Sequence, residues 1–466
     1  MSAPAPQTLE RRLGTGDAAA IIVSNVIGGG ILFTPPQVAA SAGSPWWFLG
    51  LWLAGGLLAL AGAMAYAELA ARRPRAGGEY VYLQAAYGDM AAFLTGWTSF
   101  VAGFSGAIAA SAVVLAAYVG RFAPAAADAT PFATLPLLFV TLEFSPQSMC
   151  ALAAIALMAF IHLRGVGPGR IVSNALAALK VSALLLFIAA GFSFGRGDVS
   201  NLWSGAPPAT SGWLLALVPV MFTYSGWNAA AYVAEEIRQP QRNLPRALAL
   251  GTLSVVAIYL LLNALYLFVL PVNELAAVRG SVLDVIADRL LGAAAGDIMG
   301  IVSIISIAAS ISAMTFAGPR VYYAMARDGL FVPAAGRVHP RYKTPAISIV
   351  AQAVWSGLLV LTGGAGPLTR YTGFAVALFA GVAVAAVFVL RRREPAAEIP
   401  FRAWGYPWAP AVFVLSSAAI VVNSIASDPG PSLAGVAIMS AGIPLYFYFR
   451  RSAGRRHVVS ASPGHT

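Results

Sequence analysis

Apolar runs of about 20 residues, the length that crosses a bilayer as a helix, recur along the whole of this 466-residue chain. No other feature restricts the fold so severely. In lipid, backbone polar groups must be satisfied within the protein, which leaves helices or a closed barrel. Apolar period and breaks mark twelve candidate helices: 17–43, 46–71, 90–120, 147–163, 169–193, 211–236, 244–271, 297–326, 345–362, 367–390, 408–426 and 431–449. The stretch 121–146 reads as a loop with apolar content. "SVLDVIADRLLG" (281–292) is amphipathic and too short to span, so it is expected to lie over the connection between the seventh and eighth segments. The expected fold class is an all-α polytopic membrane protein. A large soluble core is excluded: only 10% of residues are charged, against about 25% in soluble domains.

The formal charge of +11 raises nucleic acid as a partner, but the distribution of that charge argues against it. Of the 29 Lys and Arg, five (Arg121, Arg196, Arg279, Arg289 and Arg370) fall on one side of the drawn spans, and Lys180 falls inside one. All the others fall at the termini and in the even-numbered connections. The positive-inside rule then places both termini in the cytoplasm of a multi-pass cell-membrane protein. The basicity is a topology signal with a contribution from contact with anionic membrane lipid, and no nucleic-acid partner is expected. Residues 1–16 are polar and run directly into the first apolar segment, so no cleavable leader is expected. Cys150 is the sole cysteine, which excludes an intramolecular disulfide.

The first segment contains "VSNVIGGGILFTPP" (23–36). Each Gly in a helix interior costs about 1 kcal/mol relative to Ala, and an interior Pro about 3 kcal/mol. Small residues also serve close helix packing in membranes. Pro35 and Pro36, soon after the triplet, favour a break followed by a restarting helix. The sixth segment has a second oddity, "VPVMFTYSGWNAAAYVAEEI" (218–237), whose "TYSGWN" is a poor helix centre. Breaks five segments apart are the mark of an inverted five-helix repeat. The chain then divides into a tail (1–16), repeat one (17–193, helices 1–5), repeat two (194–390, helices 6–10), helices 11–12 (391–450) and a second tail (451–466). Unwinding exposes N–H groups at the restart and C=O groups at the end of the first half, each reinforced by the helix dipole. Gly28, Gly29 and Gly30 offer N–H groups to a carboxylate. Phe222–Ser225 offers carbonyls to an ammonium. Together they suit an α-amino acid.

At this point the sequence resembles the amino acid–polyamine–organocation superfamily, and within it the L-type amino acid transporter branch. "VIGGGILFTPP" resembles that branch's I-G-S-G-I-F-x-S-P, with Gly29 in the Ser place and Leu32 in the Phe place. "AMAYAELAARRPRAGGEYVYLQAAYG" (63–88) resembles Y-A-E-L-x-x-x-x-P-x-x-G-G-x-Y-x-Y. "FTYSGWNAAAYVAEEIRQPQRNLPRAL" (222–248) resembles F-x-Y-x-G-W-N followed by E-E-x-x-x-P-x-R-N-x-P-x-A. "GPRVYYAMARDG" (318–329) resembles the cytoplasmic end of the eighth span. The resemblance implies a LeuT-type 5+5 inverted repeat with discontinuous helices 1 and 6 and 12 transmembrane helices. It implies substrate contact at Ile27, Gly28, Gly29, Gly30, Phe222, Thr223 and Ser225. Phe222 would close over the substrate as a gate, and Trp227 and Asn228 would support the second break.

Lys180 has two readings. It could snorkel to the cytoplasmic end, although it lies eleven residues beyond Gly169. The resemblance implies instead that its ammonium sits between the first and eighth spans, replacing the cation of sodium-driven relatives, or carrying a coupled proton. Glu68 reads as structural or gate-related, and Glu235 and Glu236 as partners of cytoplasmic arginines. The four histidines are scattered, so no metal is expected, and no cofactor or catalytic motif is present. No acidic residue or Arg lies near the middle of spans 1, 3, 6, 8 or 10. The expected function is therefore sodium-independent transport of neutral L-amino acids by alternating access, through exchange or proton coupling. The alternatives are a non-transporting amino-acid sensor and a transporter of cationic amino acids or polyamines. A sensor would need a further domain, and the longest cytoplasmic connections, about 20 residues, are too short to fold alone. The expected partner is a small-molecule substrate and the expected assembly a monomer. Whether the substrate is small or large stays open, as does which of Gly106, Ala109, Ala110 and Ser111 in the third span faces it.

Overall fold

Helices start where the chain supplies a cap. Ser44 accepts from Trp47 N (3.5 Å) with Pro45 in the first turn, and Ser145 accepts from Ser148 N (3.1 Å) with Pro146 in the first turn. A hydroxyl acceptor and a proline are both well placed there, because the first-turn N–H groups lack helical partners. The computed structural model describes residues 9–137, 140–194, 197–203, 216–363, 365–395, 399–427 and 429–461. Arg196 and residues 211–215, the expected start of the sixth segment, lie outside them.

Among the described residues, ten helices are long and apolar enough to cross a membrane: Thr15–Phe33, Pro45–Arg72, Asp89–Val119, Pro146–Leu163, Val166–Phe194, Pro240–Val269, Ala295–Arg327, Ala375–Arg393, Trp408–Ser427 and Pro429–Ser452. The expected ninth segment is a helix of 16 residues, Ala346–Leu361. The expected sixth is two short pieces, Leu217–Tyr224 and Ala229–Tyr232, followed by a 3-10 turn at Ala234–Glu236. Neither has the length that the other ten have. The first segment is also divided: Thr15–Val26, a restart at Gly30–Phe33, and a separate helix Pro35–Ala42.

Three local features were not expected. Residues 121–146 are more than a loop: Ala133–Pro136 and Thr141–Phe144 pair as an antiparallel hairpin. The third segment carries a π turn at Ser99–Gly103. A short helix, Val272–Ala277, packs against Pro35–Ala42. The amphipathic stretch forms Val282–Leu291, capped by Ser281 and packed on the eighth segment.

The first segment sits inside the bundle, against the fifth, seventh and eighth segments. The eighth is 72% buried over its most apolar window and the eleventh 17%, so the breaks are enclosed and the last helices are peripheral. Ion pairs tie the helix ends. Glu68, at the end of the second segment, accepts two bonds from Arg391 (2.8 and 2.6 Å) and one from Ala403 N (2.8 Å), with Arg72 at 3.2 Å. Its role is structural. Glu236 and Arg320 form a wholly buried pair (2.7 Å), and Glu235 pairs with Arg327 (3.1 Å). Leu13 bridges to Ile237 through Leu13 N on Glu236 O and Arg238 N on Leu13 O, both 2.9 Å.

Glu79, on the short helix Glu79–Tyr87, carries no ion pair among the described residues. It accepts from Tyr66 OH (2.7 Å) and Asn228 Nδ2 (3.2 Å), and Asn228 also donates to Tyr232 OH (3.1 Å). These bonds fasten the second half of the sixth segment to the second segment. Burial pushes the Glu79 carboxyl above its ordinary value of 4.5, against the opposing pull of its Tyr66, Tyr232 and Asn228 donors. A folded state that holds a proton which the unfolded chain has released is stabilised at low pH. That stability is lost as pH rises through the raised value. Glu79→Gln accepts the same bonds without titrating. Its melting temperature is expected to climb by a few degrees relative to wild type between acid and neutral pH. A difference that stays constant across that range would refute the assignment.

Candidate substrate site

Helix one ends at Val26 because Ile27 turns extended (ψ 92°) and Gly28 and Gly29 follow before the restart at Gly30. The N–H groups of Gly28, Gly29, Gly30 and Ile31 have no acceptor among the described residues. A helix start of this kind is a donor cradle for an anion. The carbonyls behind it are not free. Ser24 O takes Lys180 Nζ at 3.1 Å, and Ile27 O takes the same ammonium. Ser310 Oγ lies 2.8 Å from Ser24 O and 3.2 Å from Ile27 O, and Ser306 Oγ lies 3.3 Å from Ile27 O. Lys180 is fully buried, which excludes snorkelling. Its ammonium meets carbonyls of the first segment that the eighth also reaches. No carboxylate pairs with it among the described residues.

The second break follows Tyr224. Ser225 is extended (ψ 145°) and Gly226 has φ +101°. Only glycine takes that conformation without strain, and a Cβ at Gly226 would also stand 2.5 Å from Asn25 Nδ2. The two breaks touch. A Cβ at Gly30 would lie 3.1 Å from Thr223 Cα, inside normal contact. Tyr259 OH lies 2.8 Å from Val26 O and 3.2 Å from Thr223 O, joining both breaks to the seventh segment.

The structure thus brings Ile27, Gly28, Gly29, Gly30, Thr223 and Ser225 into one place, with two refinements. Phe222 O accepts from Ser225 N (3.0 Å), and Thr223 O meets Tyr259. The carbonyls left without a donor among the described residues are those of Tyr224 and Ser225. The Thr223 hydroxyl bonds within its own helix, to Pro219 O at 2.9 Å. Phe222 is 48% exposed. Trp227 is buried edge-on against Tyr66 (4.8 Å) and Phe413 (5.5 Å), and Asn228 belongs to the Glu79 network, so both lie beneath the break. Sequence reasoning missed Asn25, Glu79, Tyr259, Ser306 and Ser310. The available signal was a polar group within or beside an apolar run, which needs a partner when buried.

The amino acid permease family profile matches residues 13–448. The human Large neutral amino acids transporter small subunit 2 is 30% identical over 449 residues, covering 94% of this chain and 80% of that protein. The Serine/threonine exchanger SteT of Bacillus subtilis is 26% identical over 447 residues, covering 95% and 98%. The mouse b(0,+)-type amino acid transporter 1 is 28% identical over 452 residues, covering 95% and 88%. With its paired helix breaks and these relatives, the chain belongs to the amino acid permease family, whose members are LeuT-fold membrane transporters and not enzymes.

Proposed function

We propose that this transporter carries neutral L-amino acids by alternating access, without sodium, by exchange or proton coupling, and with both termini cytoplasmic. The observation that carries the reading is the contact of the two breaks. Unpaired N–H groups at Gly28–Gly30 stand beside the chain end at Tyr224 and Ser225, whose carbonyls lack donors. An α-carboxylate fits the first and an α-ammonium the second. The relatives' names, large neutral amino acids and serine/threonine exchange, support neutral substrates and exchange. The lack of an acidic residue or Arg near the middle of the core spans supports the same substrate class. The basic residues crowded at one end of the bundle support cytoplasmic termini.

Purified protein in proteoliposomes is expected to take up radiolabelled neutral amino acids, faster when unlabelled substrate is inside if it exchanges. No uptake of any neutral amino acid would refute the reading. Replacing sodium by choline is expected to leave the rate unchanged, since Lys180 already occupies the carbonyls that a cation would need. A strict sodium requirement would count against that role.

Two substitutions test the donor cradle. Gly30→Val is expected to abolish binding, because its side chain would drive into the Thr223 backbone. Gly29→Ser is expected to bind like wild type, because a Cβ there meets only Phe33 at 3.9 Å. Equal affinity in all three proteins, measured calorimetrically, would remove the carboxylate from this site. Lys180→Ala is expected to slow transport strongly and to lower the melting temperature only modestly. The Ser24 and Ile27 carbonyls keep the Ser310 and Ser306 hydroxyls, so the loss is that of the lysine's own bonds, about 1–3 kcal/mol. Wild-type uptake by the variant at both acid and neutral pH would deny Lys180 any part in the cycle.

A further inference from the structure

The N-terminal segment ahead of the first helix does not trail away from the bundle. It is stitched to the end of the sixth segment through Leu13 and Ile237, and this places Arg11 and Arg12 opposite Arg238. The start of the fifth helix, Val166–Phe194, completes the arrangement with Gly167 and Arg170. The result is a cleft of about 320 Å³ lined by Arg11, Arg12, Gly167, Arg170 and Arg238. Four arginines from three distant parts of the sequence line one concave volume.

Counter-charge is scarce there. Arg12 is held by Glu10 (2.5 Å), and Arg170 lies 3.8 Å from Asp17 while donating to Arg12 O at 3.4 Å. Asp17 is already shared, accepting from Gly14 N (2.7 Å) and Asn174 Nδ2 (2.6 Å). Arg11 and Arg238 have no ion pair among the described residues. The Gly167 N–H, in the first turn of a 29-residue helix, has no acceptor among them either. A Cβ at Gly167 would meet nothing within 4 Å, so that backbone is open to the cleft. A solvated basic face spreads its charges apart. This one lines a single concave space with four arginines and leaves ample room for a phosphate group, and Arg is the side chain best shaped to bind phosphate oxygens in pairs.

We propose that this cleft is a binding site for a phosphate-bearing anion, an anionic phospholipid headgroup or free phosphate. Bound there, the anion clamps the N-terminal segment, the end of the sixth segment and the start of the fifth together. The site is separate from the helix breaks, so it can be tested without reference to transport.

The test measures thermal unfolding of the full chain under two comparisons. In detergent, inorganic phosphate is set against chloride at equal ionic strength. In nanodiscs, phosphatidylcholine alone is set against phosphatidylcholine with phosphatidylglycerol. Wild type is expected to melt higher with phosphate, with phosphatidylglycerol, or with both. A response to phosphate identifies the free ion as sufficient, and a response to phosphatidylglycerol alone identifies the headgroup. The double variant Arg11→Gln/Arg238→Gln is expected to lose the shift while melting like wild type in chloride and phosphatidylcholine. Gly167→Glu places a carboxylate in the open space of the cleft and is expected to abolish the response while keeping all four arginines. This second variant decides the matter if the first is poorly folded. No shift in wild type, or the same shift in wild type and Gly167→Glu, would overturn the proposal.

Discussion

Backbone groups released by a broken helix find no water at membrane depth, and much of this bundle is arranged around that constraint. The carbonyls at the end of the first half-helix are met by an ammonium from the fifth segment, hydroxyls from the eighth and a phenol from the seventh. Each donor comes from a different helix, so satisfying the break also packs the core. Tyr259 extends the scheme to Thr223 and fixes the spacing of the two breaks. Glycine is required for a related reason. Gly30 lets the first break approach the Thr223 backbone, and Gly226 takes a conformation closed to other residues. The cost of each glycine in helix propensity is offset by contacts that no side chain would permit.

The end of the bundle near the N-terminal segment is held by a different kind of interaction. Glu236 with Arg320 and Glu68 with Arg391 are buried pairs whose charges have further hydrogen bonds or ring contacts. Removing one partner of such a pair typically costs about 3–5 kcal/mol, because the other charge is left alone. The pairs join the second segment to the tenth and the sixth to the eighth. Each is a charged contact between segments far apart in the sequence.

The sequence made the bundle legible because lipid imposes a length and an apolarity on every span, and both can be counted. It made the two breaks legible because Gly28–Gly30 and "TYSGWN" contradict helix propensity inside otherwise apolar runs. The partners of the breaks were harder to see. Ser306, Ser310 and Tyr259 are ordinary residues in a membrane helix, and only the crossing of distant segments brings them to one carbonyl. Glu79 stood next to a recognisable Gly-Gly-x-Tyr pattern without a reason to be singled out, since its burial arises from Tyr66 and Tyr232. The hairpin 133–144 was missed because four-residue strands leave too short an alternation to separate from loop. Among the described residues the sixth segment is two short pieces around its break, and the ninth helix ends at Leu361.

The two ends of the first break are unequal, and the inequality bears on what the site can hold. Its carbonyls are already supplied with donors, one of them the Lys180 side chain. Its N–H groups are not supplied with acceptors. The first break therefore presents an excess of donors, and Lys180 faces no carboxylate among the described residues. A ligand that brings only a cation would meet the wrong polarity at this end. On the proposed reading, a ligand that brings a carboxylate completes the open hydrogen bonds of Gly28–Gly30. The sixth-segment break supplies the opposite polarity a short distance away through the Tyr224 and Ser225 carbonyls. A zwitterion offers both polarities, whereas a simple carboxylic acid would leave the second break unmet. On the proposed reading, selection for the α-amino acid backbone resides in the backbone of the protein, and discrimination among amino acids is left to the side chains that surround it.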